Sequence, residues 1–387
     1  MMLKKYFFLF FLLALQFVQS IQPVQADQRS SAESASFNPS TATGRIRLHA
    51  EFWKLIFAKY GEKQSVFHHR KYPFIIYSVL DFTDLSNDFK GKDYEKKRDH
   101  ALELEEQRIL ATLKQLGEGK GRESQLGKRI IRLVSKHGLD NPTFYKLAVE
   151  PGMIRSQTGI KERFEESLVR SGMYLSYMES AFREEGLPIE LTRIPFIESS
   201  FDYKAYSSVG AAGIWQFMKK TAKAYMKINN NIDERRDPII STHAAAKYLK
   251  HANKTLGSWP LAITSYNHGV TGVLRASRAV GSSDLNKIIE SYDSETFGFA
   301  SKNFYPEFVA AYEIEKNKEE FFPGLKIEKP ILFINHQLVK AATLKELSQK
   351  FNVSVDELIN YNLSFLAPIT KGGAKIPAGY IVKIPKH

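Results

Sequence analysis

Apolar residues recur every three to four positions through most of the chain, which is the spacing of an amphipathic helix. This spacing predicts a mainly α protein, because helices with one apolar stripe pack against each other to bury it. The predicted helices cover residues 45–60, 93–116, 161–185, 188–198, 241–254, 260–267 and 303–318.

The pattern changes after Phe322-Pro323-Gly324, a sequence typical of a junction between domains. Beyond it, the alternation predicts a β-α-α-β order. The strands are predicted at 330–339 and 380–384, and the helices at 343–351 and 354–361. The sequence therefore predicts a small C-terminal domain, residues 330–386, that forms a separate unit.

The earlier boundaries follow from local composition. Residues 27–44 are rich in Ser, Ala, Thr and Pro, which predicts a disordered linker. Residues 45–160 are predicted to form a helical accessory region, and residues 161–322 the main domain.

The first residues have the pattern of a signal peptide. Two lysines, Lys4 and Lys5, precede an apolar run, and small residues around Ala26 suit cleavage there. The alternative is an uncleaved membrane anchor, but the run is shorter than the about 20 residues that a spanning helix needs. We expect residues 1–26 to be removed and the protein to be periplasmic or secreted.

The composition is that of a globular protein, since 43% of the 387 residues are hydrophobic and 25% are charged. The chain contains no cysteine, which excludes disulfides and a lipid attached to cysteine. We therefore expect no lipid anchor. The sequence gives no indication of the oligomeric state.

The net charge of +13 changes the expected partners. Loss of Lys4 and Lys5 with the signal peptide leaves +11, because that segment holds no acidic residue. Such an excess attracts polyanions, which in a cell envelope include the carboxylates of peptidoglycan stem peptides. Nucleic acid is not an expected partner, since no helix-turn-helix, zinc-finger or RNA-binding signature is present.

Four short segments carry the candidate chemistry: Glu198-Ser199-Ser200-Phe201, Gly213-Ile214-Trp215-Gln216, Tyr266-Asn267-His268-Gly269 and Tyr305-Pro306. Glu198 ends an apolar stretch, and desolvation there raises the pKa of a carboxyl enough for it to donate a proton near neutral pH. The small residues around Gly213 let the backbone approach a ligand. Trp215 and Gln216 offer a face for stacking on a sugar and hydrogen bonds to it.

In this order, the four segments resemble the family 1 lytic transglycosylases, which share the goose-type lysozyme fold. The resemblance is densest over residues 150–318. It implies that Glu198 alone protonates the glycosidic oxygen between N-acetylmuramic acid and N-acetylglucosamine. Glu198 then acts as base toward the muramoyl 6-hydroxyl, so that a 1,6-anhydro ring closes without water, cofactor or metal.

The same resemblance implies a set of substrate-binding residues: Ser207, Trp215, Gln216, Tyr266, Asn267 and Tyr305. Core packing is the alternative for Trp215 and Tyr266, and a helix C-cap for Asn267. No metal site is expected, because the ten histidines show no ligand spacing. The acid–base run 233–237 is predicted to form salt bridges that fix a loop.

The C-terminal region resembles a LysM carbohydrate-binding module in a degenerate copy, since Ala341-Ala342-Thr343-Leu344 replaces the usual signature. A packing appendage that binds nothing is the alternative. Two other functions stay open for the whole chain. One is a water-using muramidase, which needs a second carboxylate or a positioned water. The other is a peptidoglycan-binding protein without catalysis.

Overall fold

The computed structural model describes residues 37–386. The predicted signal peptide and residues 27–36 of the predicted linker lie outside the described residues. The described chain divides into two compact units. Unit 1 comprises residues 37–39, Glu166–Ser283 and 324–386, and unit 2 comprises Ser40–Glu165 and Asp284–Pro323.

The described residues are mostly helical, which confirms the predicted mainly α class. The helices, in chain order, are α1 (Gly44–Ala58), α2 (Thr83–Asp88), α3 (Gly91–Gly117), α4 (Gln125–Lys136), α5 (Pro142–Ala148), α6 (Lys161–Ser171), α7 (Leu175–Glu184), α8 (Ile194–Glu198), α9 (Lys219–Ala222), α10 (Pro238–Leu256), α11 (Trp259–His268), α12 (Val270–Val280), α13 (Leu285–Ser291), α14 (Phe299–Lys316), α15 (Lys318–Phe321), α16 (Leu344–Phe351), α17 (Val355–Tyr361) and α18 (Ala367–Thr370). The strands are β1 (Gln64–His69), β2 (Ile76–Asp81), β3 (Ile154–Thr158), β4 (Ala211–Ala212), β5 (Phe217–Met218), β6 (Phe333–Gln337) and β7 (Ile381–Pro385).

Unit 2 contains an antiparallel sheet in the order β2-β1-β3. Val66 in the central strand pairs with Val79 on one side and Gln157 on the other. The prediction of a helical accessory region over 45–160 therefore misses this sheet. The reason is that β1 is buried from Ser65 to His69 without alternation, so it lacks the period-two pattern that marks a half-exposed strand.

Packing between α1 and α14 decides where the units divide. Asn303 of α14 accepts a hydrogen bond from Trp53 Nε1 at 3.0 Å, and its Oδ1 lies 3.1 Å from His49 Nδ1. Glu313 forms ion pairs with Arg47 and Lys54 at 2.7 and 3.0 Å. These contacts place 284–323 with the predicted accessory region, so the predicted domain 161–322 is not one compact unit.

The end of the predicted linker is ordered. The ring of Phe37 lies 6.1 Å from that of Trp259, and Pro39 is buried in a 3-10 helix. The guanidinium of Arg47 donates to the carbonyl oxygens of Ser40 and Ala42. The prediction of disorder is therefore wrong for residues 37–44. Aromatic packing holds Phe37 in place, and Arg47 satisfies backbone carbonyls of this segment.

Helix α10 is the central helix of unit 1, and it contacts α7, α11 and α12. Asp237 caps its N-terminus by accepting hydrogen bonds from Ile239 N and Ile240 N at 3.1 and 3.2 Å. Gly257 ends the helix at a φ of 69°, a left-handed conformation that favours glycine. This helix carries the residues that support the site described below.

The C-terminal residues form the predicted β-α-α-β order, with the short α18 added before the last strand. β6 and β7 pair antiparallel, and capping boxes at Thr343 and Ser354 start α16 and α17. Their apolar core includes Ile232, which precedes α10 in sequence. The predicted separate domain is thus part of unit 1, because its core needs a residue of the preceding region.

None of the helices within residues 37–386 has the length and apolar character needed to cross a bilayer.

Three histidines of unit 2 are buried: His49, His68 and His69. The Nε2 atom of each has no hydrogen-bond partner. Burial lowers the pKa of each imidazole to about 3, and the charges of Arg45, Arg155 and Lys71 oppose protonation further. All three rings are therefore neutral at pH 7.

Acid should destabilise the protein through these rings. Unfolded histidines take up protons below about pH 6.5 while the buried ones do not until about pH 3, so stability is lost as pH falls through that window. We expect the free energy of unfolding, measured with urea between pH 6.5 and 5, to fall by more than about 1.4 kcal/mol per pH unit, the contribution of one histidine.

His68→Leu should make that fall shallower, whereas a change at the exposed His100 should leave it unaltered. Equal slopes for the wild type and His68→Leu would contradict this prediction.

Candidate active site

Glu198 is the last residue of α8, a short helix that has Pro195 in its first turn. The helix stops because Ser200 and Phe201 adopt left-handed φ values of 54° and 55°. Such values are uncommon outside glycine and cost free energy, so surrounding contacts have to hold them. The amide of Phe201 donates to Pro195 O at 3.2 Å, and the carbonyl of Ser200 accepts from Arg170 at 2.8 Å.

The carboxyl of Glu198 stands apart from other charges. The residue is partly exposed, and no hydrogen bond or charged partner contributes to the pKa of its carboxyl. Burial alone raises the pKa of Glu198 to about 8. At neutral pH this carboxyl holds its proton and can donate it. The pKa is raised, as the position of Glu198 after an apolar stretch predicts.

A tight hairpin formed by β4 and β5 lies beside α8 in unit 1. Ser199 Oγ at the end of α8 donates to Ile214 O in the hairpin turn at 2.8 Å. Gly213 has a φ of 74°, and a Cβ there would lie 1.9 Å from Arg235 O, so this position accepts only glycine. The hairpin is therefore fixed both to the end of α8 and to the loop before α10.

Gln216 closes the hairpin turn at a strained φ of 48°. Its Nε2 donates to Gly213 O at 2.8 Å, and the side chain is 7% exposed. The donor side of the amide is thus used inside the turn, while its oxygen makes no bond to another described residue.

Trp215 lies in the core behind the hairpin. Its side chain is 0% exposed and stacks on Phe182 at 5.9 Å, and its Nε1 donates to Thr242 Oγ1 at 2.8 Å. No face of this ring is open to a sugar. The geometry corrects the expected stacking role and favours the packing alternative.

Tyr266 connects the core to the region of the acid. Its hydroxyl donates to Trp215 O at 2.8 Å, and its ring lies 5.3 Å from that of Tyr248, edge to face. The charge of Glu198 adds to burial in raising the pKa of both tyrosines, to about 12 for Tyr248. Glu198 is therefore within electrostatic reach of both hydroxyls. Asn267 follows at the end of α11, half-buried, just before Gly269 with its φ of 80°.

The loop between α8 and the hairpin carries Ser207 and Tyr206. Ser207 Oγ accepts a hydrogen bond from Ala211 N at 2.9 Å, so it shapes the loop and still has its own proton to donate. Tyr206 is 68% exposed although its backbone pairs with Ala212.

Tyr305 lies in α14 of unit 2, buried and 6.0 Å from the ring of Phe308. Burial raises the pKa of its hydroxyl above the usual range. The expected part of Tyr305 in substrate binding stays a prediction.

Arg235 is the buried cation of unit 1 that ties the loop before α10 to the hairpin. It pairs with Asp233 through two hydrogen bonds of 2.9 and 2.7 Å. Its Nη1 donates to Gly210 O and Phe217 O at 2.7 and 3.0 Å, one on each side of the turn. The prediction that the run 233–237 forms salt bridges fixing a loop is confirmed.

Sequence reasoning missed the supporting residues Tyr206, Thr242 and Tyr248. The helical spacing of α10 marks Thr242 and Tyr248 as ordinary positions, and only the folded contacts bring them to Trp215 and Tyr266. The position of Tyr206 next to Ser207 was the one available signal. Within residues 37–386 no cluster of three or more acidic or histidine side chains is arranged to hold a metal ion.

Known proteins resemble the part of the chain that contains Glu198. Residues 177–289 match the family model "Transglycosylase SLT domain". The chain is 28% identical over 202 residues to membrane-bound lytic murein transglycosylase D of Escherichia coli K12. It has the same identity to the protein of that name from strain O6:H1. That alignment covers 50% of this chain and 43% of each relative, so the chain spans less than half the length of these relatives.

Among solved structures, an inactive mutant of the lytic transglycosylase Slt from Pseudomonas aeruginosa is 18% identical and covers 52% of this chain and 30% of that one. Its TM-score of 0.31 is too low for this likeness to establish a shared fold.

Replacing Glu198 by glutamine should stabilise the protein at alkaline pH. The folded carboxyl keeps its proton up to about pH 8, whereas the unfolded one loses it near pH 4.5, so wild-type stability falls as pH rises between these values. Glutamine has no proton to lose. We expect the stability difference between Glu198→Gln and wild type to grow by at most about 1.4 kcal/mol per pH unit in this window.

Urea unfolding at pH 4, 6 and 8 measures this difference. Glu184→Gln, which changes an exposed carboxyl of the same unit, is the matched control and should show no such growth. A difference independent of pH would mean that the carboxyl of Glu198 is not desolvated.

Proposed function

We propose that this chain is a lytic transglycosylase that cleaves the β-1,4 bond between N-acetylmuramic acid and N-acetylglucosamine in peptidoglycan, with Glu198 as its single acid and base. The observation that carries the proposal is the carboxyl of Glu198, kept protonated by burial alone inside the SLT domain. Both relatives from Escherichia coli are named as lytic murein transglycosylases, which agrees with this substrate.

The chemistry follows from one transferable proton. Glu198 gives its proton to the glycosidic oxygen as the bond from that oxygen to C1 of the muramoyl unit breaks, and the acetamido oxygen assists at C1. The Glu198 carboxylate then takes the proton of the muramoyl 6-hydroxyl as O6 bonds to C1. The acid is regenerated, the 1,6-anhydro ring is closed, and no water is consumed.

A water-using muramidase is the less well supported alternative. Two-carboxylate glycosidases hold their acids about 5–9.5 Å apart, close enough for each charge to affect the other. No carboxylate is among the causes that raise the pKa of Glu198, which favours the single-acid mechanism.

The substrate-binding part of the proposal rests on the surroundings of Glu198. Tyr266 on α11 is within electrostatic reach of the acid, and Asn267 follows it in the chain. Ser207 and the oxygen of Gln216 offer hydrogen bonds from the hairpin side. Tyr305 is proposed as a further contact from its place in the motif order.

We assign the sugar-stacking face to Tyr206 in place of the buried Trp215. Tyr206 presents an exposed ring in the loop that leads from Glu198 to Ser207, and exposed aromatic rings are good platforms for the apolar faces of sugars. Trp215 acts from behind, since its carbonyl holds the hydroxyl of Tyr266.

The wider setting is proposed on the same basis. The charge of +11 that remains without residues 1–26 suits an anionic, carboxylate-bearing polymer, and an exported protein would meet it in the periplasm or outside the cell. The C-terminal residues 330–386 are proposed as a LysM-like module.

The products identify the reaction. Purified peptidoglycan digested with the enzyme should give fragments that end in 1,6-anhydro-N-acetylmuramic acid, measured by mass spectrometry. Glu198→Gln should lose at least about 100-fold in rate, because the amide keeps the shape and removes the proton. Reducing muramic ends as main product would establish the muramidase, and no cleavage with retained binding would establish a non-catalytic protein.

Tyr206 and Trp215 should respond differently to substitution. Tyr206→Ala should raise KM for soluble glycan fragments severalfold. Tyr206→Phe loses the hydroxyl that bonds to Arg235 but should keep the wild-type KM, because the ring remains. Trp215→Phe should lower the melting temperature, because it leaves a cavity and the Thr242 hydroxyl without its donor. Wild-type KM for Tyr206→Ala would remove this residue from the binding site.

A further inference from the structure

The C-terminal module, defined here as residues 330–386, is joined to the loop before α10 by backbone hydrogen bonds. Asp233 N donates to Ser364 O at 2.8 Å, and Leu366 N donates to Asn231 O at 2.9 Å. Ile232, between the two bonded residues, is fully buried in the core of the module. Such main-chain pairing around a shared apolar residue binds the loop directly to the module.

A buried ion pair makes a second connection. Lys383 in β7 donates its ammonium to Asp237 Oδ2, and the two side chains are 6% and 2% exposed. Asp237 Oδ1 is at the same time the N-cap of α10. Because a buried charge without its partner is strongly unfavourable, the position of Lys383 fixes the carboxylate that starts α10.

Both connections lead to the candidate active site through hydrogen bonds. From Asp237, α10 continues to Thr242, whose hydroxyl accepts from Trp215 Nε1, and Trp215 O in turn holds the hydroxyl of Tyr266. From Asp233, the pair with Arg235 leads to the two carbonyls that flank the hairpin turn. The residues around Glu198 therefore rest on two contacts that the C-terminal module supplies.

We propose that the C-terminal module is a positioning element of the catalytic centre and that Lys383 is its positioning residue, acting through Asp237. The proposal rests on the function proposed above and adds a role that sugar binding by the module would not give. In this view, the module keeps α10 and the hairpin in register, and so keeps water away from the carboxyl of Glu198. Anything that loosens the module should slow the reaction on soluble fragments that are too short to reach a second sugar site.

Two variants separate positioning from stability. Lys383→Met removes the ammonium but keeps the side-chain stem, and leaves Asp237 as an unpaired buried charge. The double variant Asp237→Asn with Lys383→Met removes both charges, and asparagine still caps a helix. Lys375→Met, at an exposed lysine of the same module, is the matched control.

The measurements are melting temperature, kcat and KM on short soluble glycan fragments, and the pH dependence of kcat/KM. We expect Lys383→Met to lower both the melting temperature and kcat. The double variant should regain the melting temperature but keep a kcat at least about tenfold below wild type, as small misplacements at a reacting centre do. Its activity should also fall off at a lower pH than that of wild type, because water reaching Glu198 lowers the pKa of the acid.

A double variant with wild-type kcat and an unchanged alkaline limit would overturn the proposal and leave the ion pair a purely stabilising contact. A kcat reduced as much by Lys375→Met would overturn it too, since the effect would then not depend on the buried pair. If the wild type itself cleaves no glycan, the proposed function fails, and this outcome is distinct because the control variant is then inactive as well.

Discussion

Unit 1 is arranged around one constraint. It has to keep one carboxyl out of water and still leave that carboxyl accessible to a ligand. A carboxyl surrounded by protein loses its hydration, and its pKa rises when no cation compensates. Glu198 meets both conditions, because burial raises the pKa of its carboxyl and no cation or hydrogen bond lowers it. A nearby arginine would stabilise the fold and would remove the acid at neutral pH.

That arrangement is unfavourable for stability, and the surrounding structure compensates for it. Left-handed backbone at Ser200, Phe201 and Gln216 ends α8 and closes the hairpin beside the acid. Arg170 holds the turn at Ser200, and the buried Arg235, with four hydrogen bonds, holds the hairpin. Strain close to a reactive group, together with a rigid support, is what a preorganised site requires.

The support extends beyond the segment that matches the SLT domain. Residues 177–289 contain the acid, the hairpin and α10, yet Asp233 and Asp237 within that segment are bonded to Ser364 and Lys383 outside it. The boundary of a sequence family and the boundary of a physical unit differ here. An apolar core that takes in Ile232 explains why the last residues fold as part of unit 1.

The sequence by itself determined the mainly α class, the order of the C-terminal elements and the identity of Glu198 as the candidate acid, because helical spacing and short motifs are local patterns. It did not reveal the sheet of unit 2, since the buried strand β1 lacks alternation. Tertiary structure alone decided that Trp215 faces the core, that Tyr206 is exposed, and that Lys383 meets Asp237. These outcomes depend on contacts between residues far apart in the chain, such as the 146 positions that separate Asp237 from Lys383, and no local pattern encodes them.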